Sequence, residues 1–149
     1  MRRLAKFWSL TRRERHLLCE AIILLSISTI CVKAIAFRRI DKFMRTYWND
    51  RVQRCTDREQ ETSLVQRSIS RAANVLPWRS LCLSRSLAEF IMLRRRGIPA
   101  TMIAGVRFSG HSSLDAHAWV DTGLEANGES TKGSDFVTLI RIGTSAVDR

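Results

Sequence analysis

Gly97 and Pro99, in "LRRRGIPA", divide this chain into two parts of different periodicity. A glycine after a helical stripe accepts the left-handed conformation that ends a helix, and a proline two residues later prevents its return. Before this point apolar residues recur at helical spacing; after it they alternate.

Upstream, "SLTRRERHLLCEAIILL" has Ser9 or Thr11 as N-caps, and Glu14 three residues after Thr11 completes a capping-box pattern. A further helical stretch is expected in "IDKFMRTYWNDRV". In "DREQETSLVQRSISRAANVL", Val65, Ile69, Ala72, Ala73 and Leu76 share one helical face, and Pro77 ends it. The next helix lies in "SLCLSRSLAEFIMLRRRG". Ser80 is its expected N-cap, which puts Cys82 at about the second helical position. Leu83, Leu87, Phe90 and Ile91 form its apolar stripe, which stops at Arg94. The run Arg94, Arg95, Arg96 suits the negative end of the helix dipole.

Downstream, "ATMIAGVRF", "DAHAWVDT" and "FVTLIRIG" read as strands, separated by the turn signals "SGHSS" and "ANGES". In the middle strand Ala116, Ala118 and Val120 share one face of the pleat and His117 and Trp119 the other. Helices followed by a small antiparallel sheet make an α+β fold.

The 149 residues suffice for one sizeable core. With 25 basic and 14 acidic residues the net charge is +11, which points to an acidic partner, a membrane surface or nucleic acid. The basic residues are scattered and no nucleic-acid motif is present, so nucleic acid is not an expected partner. Cys19, Cys31, Cys55 and Cys82 show neither C-x-x-C nor zinc-finger spacing, so no metal site and no disulfide framework is expected. Between Glu20 and Lys33 lie about a dozen apolar or small residues, fewer than the roughly 20 of a spanning helix. A buried helix is therefore expected, with basic flanks that suit the periphery of an anionic membrane.

The chemistry rests on Cys82. The first turn of a helix presents unpaired N–H groups and partial positive charge, which favour a thiolate. Arg79 and Arg85 add positive charge nearby in sequence. A nucleophilic thiol needs a base, and the base an orienting group. His117 is the candidate base. Glu129, Asp135 and Asp121 are the candidate acids, Glu129 first, because the turn before it is expected to fold the chain back beside His117. Asp121 shares the face of His117 but stands roughly 13 Å along the strand. Ordinary readings stand beside these: a helical cysteine is commonly a small core residue, and a strand histidine commonly structural. Cys19 and Cys31 are expected in the core, Cys55 as a bystander, and His16 and His111 in solvent.

"CLSRSLAEFIMLRRRGIPATMIAGVRF" followed by "DAHAWVDTG" and "NGES" resembles the transglutaminase-like leader peptidases of lasso-peptide biosynthesis, over Pro77 to about Leu139. The resemblance implies a transglutaminase-like, papain-like cysteine protease core with N-terminal helices. It implies Cys82 as nucleophile, His117 as its base, and Glu129 as third member, although Gly128 separates Asn127 from the acid where the family often has none. Residues 1–76 would be a helical region packed on the core and not an independent recognition domain. Residues 77–149 would be the catalytic core, the whole forming one compact domain.

The function so implied is a cysteine peptidase that removes the leader from a ribosomally made precursor, without cofactor or metal. Its partners would be the precursor peptide, a separate leader-recognition protein and an asparagine-synthetase-like macrolactam cyclase. Its location would be the cytoplasm, peripheral to the inner face of the membrane. Two other readings stand beside it: acyl transfer by the same Cys-His-acid triad, and binding to nucleic acid or a membrane surface without catalysis.

Overall fold

The computed structural model describes residues 10–34, 39, 42, 57–78, 81–109, 113–123 and 136–143. They form helices α1 (Arg12–Ala34), α2 (Arg58–Val75) and α3 (Cys82–Arg95), then strands β1 (Thr101–Ser109), β2 (Ser113–Asp121) and β3 (Val137–Ile142). The helical stretch expected in "IDKFMRTYWNDRV" lies outside the described residues apart from Lys42.

The capping box starts α1. The Glu14 carboxylate accepts from the Thr11 backbone N–H at 3.1 Å and from its hydroxyl at 3.0 Å, while Thr11 Oγ1 accepts from Glu14 N–H at 3.3 Å. The backbone bond from Thr11, then its hydroxyl, with Arg71 assisting, holds the Glu14 carboxyl below its ordinary pKa. Thr11→Ala removes the cap hydroxyl, though not the backbone N–H, and should lower the melting temperature. A carboxyl depressed in the folded state contributes stability above its unfolded pKa, about 4.3, and loses it as pH falls through the folded value. Thermal melts should show the gap between wild type and Thr11→Ala narrowing in acid.

Two turns inside the same helix, Leu17, Leu18, Ala21 and Leu25 enter the core. They meet Val65, Ile69 and Ala72 of α2 and Leu87, Phe90 and Leu93 of α3 in one apolar cluster. Ion pairs bind the helices at their surface: Arg13 with Glu61, Arg71 with Glu14 at 3.4 Å, and Arg95 and Arg96 both with Glu20. Each is worth at most about 1 kcal/mol, so these pairs orient the helices more than they stabilise them.

Several local expectations change here. At 23 residues, α1 is nearly twice the apolar run seen in the sequence, and by length and composition it is able to cross a membrane. One of its faces is in the core, however. Cys19 is exposed, not core, because it lies on the opposite face. On α3 the apolar stripe widens to nearly the whole circumference, with Ser84, Ser86, Ala88, Glu89 and Met92 buried as well. This helix packs against α1, α2, β1 and β2, so it has little outer face. Arg94 is accordingly buried, its guanidinium 5.9 Å from the centre of the Phe90 ring, and is not the exposed end of the stripe.

The helix exit follows the glycine-proline pattern. Gly97 has φ 71°, its N–H bonds Arg94 O at 3.0 Å, and Ile98 N–H bonds Leu93 O at 3.1 Å. These two bonds define a Schellman motif, and the buried Leu93 and Ile98 supply its apolar contact.

The chain then enters β1, the centre of an antiparallel sheet ordered β2-β1-β3. The hairpin β1-β2 runs in register from Thr101 opposite Asp121 to Ser109 opposite Ser113. The ladder with β3 shifts between Ala104 and Gly105. Met102, Val120 and Ile142 from the three strands join the helical cluster. The sheet therefore contributes one face to the core that α3 fills.

Candidate active site

Cys82 is the first residue of α3. The residue before it, Leu81, holds the N-cap position with extended backbone (φ −67°, ψ 153°) and no side-chain cap. Ser80, the expected cap, lies outside the described residues. Ser84 turns its hydroxyl back to Leu81 O at 2.9 Å. The cap side chain therefore leaves the first-turn N–H groups uncovered beside the thiol.

What sets α3 against the sheet is a pair of contacts one helical turn apart. Ser86 Oγ, buried, donates to Ala118 O at 2.8 Å. Cys82 Sγ lies 3.9 Å from Ala116 O. These two carbonyls flank His117 on β2. A four-residue step on the helix thus matches a two-residue step on the strand, both roughly 6 Å. The thiol is held against the strand segment that carries the imidazole.

His117 is half-buried, on the other face of the pleat from Ala118 and Val120. Its ring stacks on Trp119, with centroids 6.1 Å apart and planes 17° apart, and lies 5.7 Å from the ring of Phe136. Trp119 and Phe136 are themselves 6.0 Å apart. Opposite His117 on β1 is Gly105. A Cβ there would stand 3.0 Å from Val137 O, 3.1 Å from Phe136 Cβ and 3.3 Å from the Trp119 ring, so its absence lets the aromatic group close over β1. Arg107 lies across from Asp115, pairs with it at 3.1 Å and covers the Phe136 ring at 4.7 Å. Among the described residues no hydrogen bond joins Cys82 to His117 directly; the imidazole is held by rings.

Glu129, Asp135 and His111 lie outside the described residues, as does Cys55. Asp121, at the end of β2, caps the following turn by accepting from Gly123 N–H at 2.9 Å. The path of the chain after the turn is described only from Phe136. The described strand after the turn, β3, pairs with β1 and not with β2, because β2 presents its other edge to α3. Phe136, the residue that leads into β3 and follows Asp135 in sequence, returns beside His117. The roles of Gly105, Phe136 and Ser86 were not legible in the sequence, since each depends on which strand or helix lies opposite.

A family model, the transglutaminase-like superfamily, matches residues 28–141, from within α1 to within β3. The chain belongs to the transglutaminase-like superfamily. No curated protein and no solved structure matches it. Superfamily membership accords with the α+β architecture and supports a cysteine-peptidase or transglutaminase-type activity.

The exposure of Cys19 bears on how Cys82 is to be probed. In a Cys19→Ala background, Cys82 should be the fastest thiol to react with an alkylating agent at neutral pH. His117→Ala should slow that reaction about tenfold or more by removing the base. Peptide mapping by mass spectrometry reads each site. Equal labelling of Cys31, Cys55 and Cys82 would show that Cys82 is not activated.

Proposed function

We propose that this protein is a cysteine peptidase that removes the leader from a lasso-peptide precursor before macrolactam closure. The observation that carries the catalytic part is the placement of Cys82: first residue of a helix, its sulfur 3.9 Å from the carbonyl of the residue before His117, in a transglutaminase-like chain. The leader-peptidase specificity rests on the "LRRRGIPA" and "AHAWV" resemblance.

In this reading His117 takes the Cys82 proton, and the thiolate attacks the scissile carbonyl carbon. The carbonyl π electrons move to oxygen, and first-turn N–H groups of α3 stabilise that oxyanion. The tetrahedral intermediate collapses, the C–N bond breaks, and His117 delivers the proton to the leaving amine. A water molecule then attacks the thioester while His117 takes its proton, and the acid and the free thiol are released. Glu129 orients the imidazole, with Asp135 and Asp121 as the alternatives. A separate leader-recognition protein delivers the precursor in the cytoplasm, and an asparagine-synthetase-like cyclase closes the released core.

Acyl transfer shares every step up to the thioester and differs in the acceptor. The deciding experiment incubates precursor with the chain and the leader-recognition protein, with and without a primary amine, and weighs the products. Free carboxyl and free amino termini at one position support the peptidase. An amide with the added amine identifies a transferase. The recognition protein should raise the rate by orders of magnitude at low precursor and little at saturation, because it increases local substrate concentration. Full activity of the chain alone at low precursor would refute the delivery role.

A further inference from the structure

The C-terminal half of α1 carries apolar residues outward as well as inward, where Leu25 is buried. Ile23, Ile27 and Ile30, spaced four and three residues apart on one face, are 58%, 51% and 65% exposed. On the opposite face Ser28 and Thr29 are 2% and 4% exposed. A surface helix in water carries polar residues on its outer face. The hydroxyls of this segment are satisfied within the helix, Thr29 Oγ1 donating to Leu25 O and Ser26 Oγ to Ile22 O, both at 2.7 Å. Ser28 and Thr29 beside Leu25 toward protein, with three branched apolar residues outward, suits a helix that also faces an apolar medium.

Charge selects among the occupants of this face. The isoleucine stripe lies between exposed Arg12 at one end of the helix and exposed Lys33 at the other. The sequence continues that charge, with Arg2, Arg3 and Lys6 before the helix and Arg38, Arg39 and Lys42 after it. A second copy would bring one chain of net charge +11 against another. An anionic bilayer offers headgroups for the basic ends and acyl chains for the centre. Crossing the bilayer would take Leu17, Leu18, Ala21 and Leu25 out of the core they share with α2 and α3.

We infer that α1 lies in the plane of an anionic membrane surface, with Ile23, Ile27 and Ile30 in the acyl boundary and the basic helix ends among the headgroups. The binding is peripheral and independent of the catalytic reading.

The test is co-sedimentation of the full chain with phosphatidylcholine vesicles, with and without about one-third phosphatidylglycerol. The wild type should partition at least about tenfold better into the anionic vesicles. I23S/I27S/I30S should lose about tenfold or more of that partitioning at the same salt, with an undiminished melting temperature because the three side chains are exposed. As a second readout less dependent on folding, I27W should show a blue-shifted difference emission over wild type when vesicles are added. Failure of the wild type to bind anionic vesicles would overturn the inference. So would equal binding by the triple variant, since charge alone would then suffice, or an unshifted I27W emission. A wild-type oligomer that the triple variant dissolves in the absence of lipid would assign the face to protein and also overturn it.

Discussion

Cys82→Ala should abolish leader removal, lowering the cleavage rate at least about a thousandfold while leaving the fold intact. The chemical reason is that the methyl group left in place of the thiol forms no acyl intermediate. The structural reason is that the thiol is only half-buried and its polar contact, the Ala116 carbonyl at 3.9 Å, is long. Losing one sulfur atom there removes little packing, and the melting temperature should move by no more than a few degrees. Adding His117→Ala to Cys82→Ala should cost almost nothing further, because a nucleophile and its base act as a unit. Cys19→Ala, Cys31→Ala and Cys55→Ala should retain cleavage. The assay is release of leader followed by mass spectrometry, beside a thermal melt of each variant. Cleavage by Cys82→Ala at the wild-type rate would refute the mechanism whatever the other variants do.

The largest effect on stability is expected at Gly143, just beyond β3. Its φ is +105°, and a Cβ there would stand 2.6 Å from Ala100 O and 2.8 Å from the Phe90 ring. Neither neighbour is free to retreat. Ala100 leads into the central strand, and Phe90 is fully buried at the centre of α3. An alanine combines backbone strain with overpacking, at a cost of about 3 kcal/mol. For a domain near 150 residues that corresponds to a loss of roughly 10 °C in melting temperature. Leu139→Ala, on the same strand but 62% exposed, should stay within about 0.5 kcal/mol of wild type. Equal melting of Gly143→Ala and wild type would show that the end of β3 does not press on Phe90.

What could be read along the chain was whatever a few consecutive residues determine. Thr11 and Glu14 satisfy each other's backbone within one turn. Gly97 closes α3 with a bond three positions back, and Ile98 follows with one five positions back. Alternation in "DAHAWV" separates His117 and Trp119 from Ala118 and Val120, because the strand period is two. Cys82 at a helix start and His117 mid-strand were legible for the same reason. Which of Glu129, Asp135 and Asp121 stands nearest His117 was not, since it depends on how the chain after β2 returns, and Glu129 and Asp135 lie outside the described residues.

Tertiary packing decided the rest. Whether a face is buried is a property of what lies against it. Periodicity groups residues on a face without saying which face turns inward. Arg94 is buried because α3 is surrounded, while Cys19 and the three isoleucines of α1 are exposed because, among the described residues, that helix has neighbours on one side only. The placement of Cys82 against the strand of His117 is of the same kind. The two residues are 35 positions apart in sequence. The start of α3 meets the strand of His117 because Ser86 bonds the carbonyl after His117 while Cys82 meets the one before it. The sequence by itself determined the order of helices and strands and the caps and stops that a few consecutive residues form, since these are local. Only the tertiary structure decided which side of each element meets a neighbour, because that depends on contacts between residues distant in the chain.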